Sequence, residues 1–112
     1  MAVPAKQNLT ITRGDTEIIV ITMTSDGTTP ENITGRTYRA QIRGTKDAAV
    51  IDISFTAVVT NGAAGELTLT ALPAATSGLT VGTHYWDLEE TNAGVVSTIL
   101  AGTVNVLADV TR

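Results

Sequence analysis

The stretch TNGAAGELTLTAL, residues 60–72, indicates which class of fold this chain adopts. The pair Asn61-Gly62 favours a tight reversal of the chain, because both residues tolerate the positive φ angles of hairpin turns. After the turn, Leu67 and Leu69 alternate with threonines, which is the period-two pattern of a half-buried strand. The stretch therefore predicts a β-hairpin whose second strand packs on a core.

The same strand pattern recurs along the rest of the chain. Residues with alternating or β-branched character occupy the ranges 7–13, 16–25, 36–43, 49–59, 66–72, 83–90 and 95–110. The one helix-like segment is Pro73–Gly78, a single turn, because proline suits a first helical position and glycine a stop. About seven strands with turns at short spacing predict an all-β sandwich or barrel.

Alternation also assigns faces within the predicted strands. In residues 36–43 it predicts that Tyr38, Ala40 and Ile42 point inward. It predicts that Arg39, Gln41 and Arg43 point outward. In residues 83–90 it separates His84, Trp86 and Leu88 from Tyr85, Asp87 and Glu89. Residues 16–25 are apolar on both faces and predict a central strand, covered more on one side. Gly102 predicts a bulge or kink in the last strand.

Composition argues against several classes of function. The chain of 112 residues suits one domain, and its seven basic residues against eleven acidic ones, net −4, cannot form an extended basic face for nucleic acid. No apolar run approaches the roughly 20 residues of a membrane span, and the first residues lack the apolar segment of a secretory signal. Without cysteine, disulfides and thiolate metal sites are excluded. We expect neither nucleic-acid nor membrane partners.

Arg13-Gly14-Asp15 is the tripeptide that integrins recognise, and its residues are also typical of a turn between strands. Glycine accepts positive φ and aspartate caps turns with its side chain, so a Gly-Asp pair between two apolar runs favours a turn. We interpret the tripeptide as the connection between the first two strands.

No set of side chains predicts a catalytic, metal or cofactor site. His84 is the one histidine, and on a strand only Glu90 of the nearby carboxylates shares its face. Tyr85 beside Asp87 and Glu89 resembles a carbohydrate-binding surface, since such sites combine exposed aromatic rings with acidic groups. A basic group on and after one strand, Arg36, Arg39, Arg43 and Lys46, is either a solvated outer face or a contact for an acidic protein partner.

Four motifs resemble a known family: NLTITRGDT (8–16), NITGRTYRAQIR (32–43), GTHYWDLEE (82–90) and LAGTVNVLADVTR (100–112). Together they are similar to small β-domain virion proteins of tailed bacteriophages, and to the N-terminal domain of phage baseplate upper proteins. The positions that carry the resemblance are Gly14, Asp15, Thr16, Thr34, Gly35, Gln41, Ile42, Arg43, Gly82, Asp87, Leu88, Glu89, Gly102, Val104 and Val106. His84 and Trp86 depart from the family, which more often has tyrosine there.

The resemblance implies an immunoglobulin-like antiparallel β-sandwich in residues 7–112. We expect the preceding N-terminal arm, Met1–Lys6, to order only on binding, because Pro4 and small residues give it nothing to bury alone. The resemblance also implies a non-enzymatic tail or baseplate structural protein, assembled in the host cytoplasm, present in the virion in many copies or as a symmetric homo-oligomer, with other phage structural proteins as partners. A capsid decoration protein and a carbohydrate-binding adhesion module are the alternatives.

Overall fold

The protein is described here from a computed structural model, which covers residues 5–24, 28–45 and 51–110. These residues form an all-β, sandwich-like fold, as the sequence predicted. Its elements are β1 (Ala5–Lys6), β2 (Leu9–Thr12), β3 (Glu17–Thr22), β4 (Thr37–Arg43), β5 (Ile53–Ser54), β6 (Thr56–Asn61), a 3₁₀ turn (Gly62–Ala64), β7 (Glu66–Ala71), α1 (Pro73–Thr76), β8 (Gly82–Asn92) and β9 (Val95–Leu107). Within those ranges no helix is long and apolar enough to cross a membrane.

Two sheets make up the sandwich. The larger has the order β1-β9-β8-β4-β5, with β2 also paired to β9, and the smaller has the order β3-β7-β6. The orders β3-β7-β6 and β9-β8-β4 match strands B-E-D and G-F-C of immunoglobulin domains. Most pairs are antiparallel as expected, but β1 and β2 both run parallel to β9. The beginning and the end of the described chain therefore lie side by side.

The core lies between the sheets and confirms the predicted faces. Tyr38 is half-buried and Ala40 and Ile42 are fully buried on β4, while β8 buries His84, Trp86 and Leu88. Across from them, Leu67 and Leu69 of β7 are fully buried. Truncating either leucine to alanine is expected to cost about 2–5 kcal/mol, because the loss combines burial with a cavity.

The hairpin predicted at residues 60–65 joins β6 to β7 through the 3₁₀ turn. Asn61 Oδ1 accepts a hydrogen bond from the backbone N–H of Ala64 at 3.3 Å, and Gly65 ends the turn with a φ of 71°. A side chain at Gly65 would also lie 2.6 Å from the carbonyl oxygen of Met23. Glycine is required there for both its φ and its size.

The prediction of a central strand over residues 16–25 is wrong in its position. β3 is an edge strand that pairs with β7 alone, and the outward Ile18 and Val20 are 61% and 59% exposed. Only the one-sided cover that the sequence suggested is present. β-branched residues fit any pleated strand surface, so their density does not report whether a strand is central.

Gly102 is not the site of a bulge. The register shift in β9 falls at Ile99, because Leu88 pairs with Leu100 whereas Glu89 pairs with Thr98. Gly102 instead lies under the connection between β1 and β2, where an added Cβ would collide with the carbonyl group of Gln7. A glycine inside a strand indicates either a bulge or a close backbone approach, and here it is the approach.

The arm expected over residues 1–6 is ordered in its last two residues. Ala5 and Lys6 form β1, paired with Leu100 and Ala101 of β9. Met1–Pro4 lie outside the described residues, so the expectation that an arm orders on binding applies to those four alone.

Candidate functional site

The outer face of the larger sheet is where the polar residues predicted to point outward converge. The register places Arg39 opposite Glu89, and Gln41 opposite Asp87, on the antiparallel strands β4 and β8. We call this surface the charged face; it consists of Lys6, Arg39, Gln41, Arg43, Thr45, Tyr85, Asp87, Glu89, Ala101 and Thr103.

The charged face is concave and encloses a depression of about 660 Å³. Ala101, Gly102 and Thr103 on β9 are small, whereas Arg39 and Arg43 on β4 carry long side chains. This contrast in side-chain length gives the sheet surface its hollow. The volume falls within the range of roughly 300–1,000 Å³ that small-ligand sites occupy.

Charges of both signs meet on this surface. Arg39 Nη2 lies 3.9 Å from Glu89 Oε1, with the two side chains 69% and 35% exposed. Arg43 Nη2 donates a hydrogen bond to Gln41 Oε1 at 3.1 Å. An exposed ion pair at such a distance contributes at most about 1 kcal/mol to stability. Arg39 therefore keeps most of its capacity for external contacts.

Asp87 is the carboxylate most affected by this environment. Burial raises the pKa of Asp87, and the charge of Glu89 raises it further, while Arg43 and Arg39 act in the opposite direction. The two carboxylates lie on alternate residues of one strand and share a face, so the negative charge of Glu89 disfavours ionisation of Asp87. Additional positive charge near the pair would relieve that cost.

The structure brings Tyr85, Asp87 and Glu89 together, as alternation predicted, and adds Arg39 and Arg43 from the neighbouring strand. Of the other two residues in the predicted basic group, Lys46 lies outside the described residues, and Arg36 belongs to a different cluster. The sequence analysis missed that β4 and β8 pair directly. The sequence signal for this pairing was that basic residues alternate along β4 and acidic residues alternate along β8.

Arg36 and Glu90 belong to a network at one end of the core. Arg36 Nη1 lies 3.0 Å from Glu31 Oε2 and 3.3 Å from Glu90 Oε2, and the Tyr38 hydroxyl donates to that Glu90 oxygen at 2.7 Å. Burial and the hydrogen bond to Glu90 raise the pKa of the Tyr38 hydroxyl. Tyr38 and Glu90 are paired in register, so the network braces β4 against β8.

His84 is a buried structural residue in the described fold. Its Nδ1 lies 2.9 Å from Asp52 Oδ2, and its Nε2 lies 2.7 Å from the carbonyl oxygen of Thr80. A general base needs one ring nitrogen within reach of a substrate proton, and both of these nitrogens face oxygen atoms of the protein. Asp52 was missed because it is 32 residues away in sequence, and its contact depends on how the sheets pack.

Arg13-Gly14-Asp15 forms the turn that the sequence favoured. The Asp15 N–H donates to the carbonyl of Thr12 at 3.2 Å, and Gly14 has the φ of 80° typical of a type II turn. Arg13 Nη2 donates to the carbonyl of Ser77 at 3.3 Å, and the Thr76 hydroxyl donates to the carbonyl of Asp15 at 2.7 Å. The tripeptide is thus fastened to the α1 turn rather than presented on a free loop.

Among the residues that the structure describes, no three His, Cys, Asp or Glu side chains come close enough to hold a metal ion. In the same part of the chain, the charged face brings the arginines of β4 next to the acids of β8.

Comparisons with known proteins relate this chain to others through its fold. No protein-family model matches the sequence, and no curated protein matches it. Among solved structures, the N-terminal domain of phage TP901-1 ORF48 superposes with a TM-score of 0.55 at 16% identity, covering 93% of this chain and 86% of that domain. A Listeria monocytogenes protein, InlP, aligns at 18% identity and a TM-score of 0.43 over 95% of this chain and 28% of its own; that similarity carries no argument.

Proposed function

We propose that this chain is a non-enzymatic structural module of a bacteriophage tail or baseplate, present in the virion in several copies and bound to other phage structural proteins. The observation that carries the proposal is the fold shared with a phage protein domain over nearly the whole length of both. The four sequence motifs that resemble phage baseplate proteins support it independently of the fold.

The arrangement of the titratable groups supports a structural role. His84 is held between Asp52 and Thr80, and Glu90 is held by Arg36 and Tyr38. A catalytic site needs such groups aimed at a common point where a substrate can bind. In the described chain they brace the strands instead, while the charged face is polar, as the rim of a protein interface is.

Localisation in purified particles tests the proposal. Phage heads and tails would be separated and the chain quantified in each by mass spectrometry, with electron microscopy of the fraction that contains it. Recovery with tails, in multiples of three or six per particle, is the expected result. Recovery with heads would support the capsid decoration alternative, and absence from both fractions would contradict a role in the virion.

A carbohydrate-binding role is the second candidate, and one observation favours it. Tyr85, Asp87 and Glu89 line a single depression with Arg39 and Arg43, which combines an aromatic ring with polar groups able to hold sugar hydroxyls. If this role is correct, Tyr85→Ala should abolish adsorption of particles to cells while leaving assembly intact. Tyr85→Phe keeps the ring and should retain adsorption. Equal adsorption by both variants would rule the role out.

A further inference from the structure

We propose that the charged face binds the charged face of a second copy of this chain, about a two-fold axis that runs along the strands between β4 and β8. This inference deepens the proposed function, since it assigns one interface of a multi-copy structural protein. It rests on that function for its biological setting, although the contact itself can be measured on the isolated chain.

The arrangement of charge on two neighbouring strands leads to this inference. On the outer face β4 carries Arg39 and Arg43, and β8 carries Asp87 and Glu89. The two strands are adjacent in the sheet, and Arg39 is directly opposite Glu89 in the register. Across these two strands the β4 side is therefore basic and the β8 side acidic, with the boundary between them; Lys6 lies further out, on β1 beyond β9.

A two-fold axis along that boundary makes the surface complementary to itself. Rotation by a half turn places β4 of one copy over β8 of the other, at the same level along the strands. Arg39 then faces Glu89 of the second copy, and the symmetry repeats the contact on the other side of the axis. Residue i contacts residue j and j contacts i, as a two-fold interface requires.

The shape of the surface allows this approach. Stacked sheets lie about 10 Å apart, a gap that side chains from both sides must fill. The depression of about 660 Å³ over the small β9 residues lies beside β8, so the long arginine side chains of an opposing β4 have space to extend into it. Arg39 is 69% exposed and its contact with Glu89 within the chain is 3.9 Å, so it can reach outward at little cost.

A second copy fits this face better than a partner of one charge. An acidic partner that satisfied Arg39 and Arg43 would meet Asp87 and Glu89 on the adjacent strand, and a basic partner would meet the arginines. Like charges placed across an interface disfavour binding. Guanidinium groups of a second copy would also offset the burial and the Glu89 charge that disfavour ionisation of Asp87.

Charge reversal tests the inference on the purified chain. Arg39→Glu makes the charged face acidic on both strands at the level of the Arg39–Glu89 pair, and Glu89→Arg makes it basic on both strands at that level. Each variant alone should weaken self-association at least tenfold in sedimentation equilibrium. An equimolar mixture of the two should form a heterodimer, because each acidic face then meets a basic one. The double variant Arg39→Glu/Glu89→Arg should dimerise like the wild type.

Two controls separate this surface from general charge effects. Glu66→Arg changes the net charge as Glu89→Arg does, but it lies on β7 in the smaller sheet and should leave self-association unchanged. Raising the salt concentration from about 0.1 M to 1 M shortens the screening length from about 10 Å to 3 Å and should weaken the wild-type dimer. Circular dichroism melts of all variants would verify that each is folded.

Several outcomes would overturn the inference. The first is a wild-type chain that stays monomeric from about 1 μM to 1 mM. The second is a mixture of the two single variants that forms no heterodimer. The third is a loss of self-association in Glu66→Arg equal to that in Glu89→Arg. Binding of oligosaccharides to this face by a strictly monomeric protein would assign it to the carbohydrate role instead. None of these results bears on whether the chain is found in particles, so the proposed function stands or falls separately.

Discussion

Substituting alanine for Gly102 should detach the N-terminal strand from the sheet and weaken the whole fold. A Cβ at this position would overlap the Gln7 carbonyl group and lie 2.9 Å from Asn8 Oδ1. That carbonyl oxygen accepts the indole N–H of Trp86 at 2.7 Å, and the Gln7 N–H donates to the carbonyl of Ala101 at 2.9 Å. The extra methyl group is incompatible with both hydrogen bonds in their present geometry.

The magnitude follows from those two contacts. Trp86 is 4% exposed, so its N–H would be left buried without an acceptor, a loss of about 1–3 kcal/mol. The Gln7–Ala101 hydrogen bond adds about 1 kcal/mol. Gly102→Ala should therefore lower the free energy of unfolding by about 2–4 kcal/mol, and the melting temperature by roughly 8–16 °C at about 4 °C per kcal/mol.

Urea unfolding and amide hydrogen exchange provide the assay. The Gln7 amide should lose its protection in Gly102→Ala while amides in β7 keep theirs under native conditions. Gly78→Ala is the matched control, because the nearest atom to its Cβ, the Ala75 carbonyl oxygen, is 3.7 Å away and its φ is not positive. Unfolding of Gly102→Ala within 0.5 kcal/mol of the control, with Gln7 still protected, would falsify the reasoning.

Three further predictions address the buried histidine, the raised carboxyl pKa and the tripeptide turn. His84→Ala should destabilise the fold by about 2–4 kcal/mol in urea titrations, because it leaves a cavity and removes the partner of Asp52; a loss below 1 kcal/mol would contradict the structural role. The pKa of Asp87 is higher in the folded state than in the unfolded state. The free energy of unfolding therefore falls as the pH rises from the unfolded-state pKa through the folded-state pKa. Asp87→Asn should flatten that slope in melts between about pH 3 and 6, and an unchanged slope would count against it. Gly14→Ala should lower the free energy of unfolding by about 1 kcal/mol, because the φ of Gly14 is 80°. Asp15→Glu, which removes the adhesion tripeptide, should unfold like the wild type. Equal effects of the two substitutions on the free energy of unfolding would refute the turn interpretation.

Features set by local alternation could be predicted from the sequence. The inward positions of Tyr38, Ala40 and Ile42 follow from a period of two, and so does the grouping of Tyr85 with the acids of β8. The hairpin over residues 60–65 was equally local, although its turn is not of the Asn-Gly type: Asn61 is extended and caps a 3₁₀ turn, and the positive φ lies at Gly65. In each case the information lies within a few residues.

Features set by contacts between distant strands could not be predicted. The pairing of β2 with β9 in parallel, and the Asp52 contact of His84, depend on which strands become neighbours. The edge position of β3 is not encoded in its composition, and Ile18 is exposed because it lies on the face of β3 opposite the core. For the candidate site, the sequence supplied the outward residues of β4 and of β8 separately; the complementary charges of the two strands favoured their pairing, but the register is what places them on one surface.

The parallel pairing of β2 with β9 determines how the domain would bear mechanical load. Tension applied to the chain before β1 and after β9 pulls these two neighbouring strands in opposite directions along their common axis. The ladder from Leu9–Val104 to Thr12–Leu107 is then sheared, so that its hydrogen bonds carry the force together instead of opening one after another. A domain connected in this way resists stretching between its ends, a property suited to a component placed in line between two larger bodies.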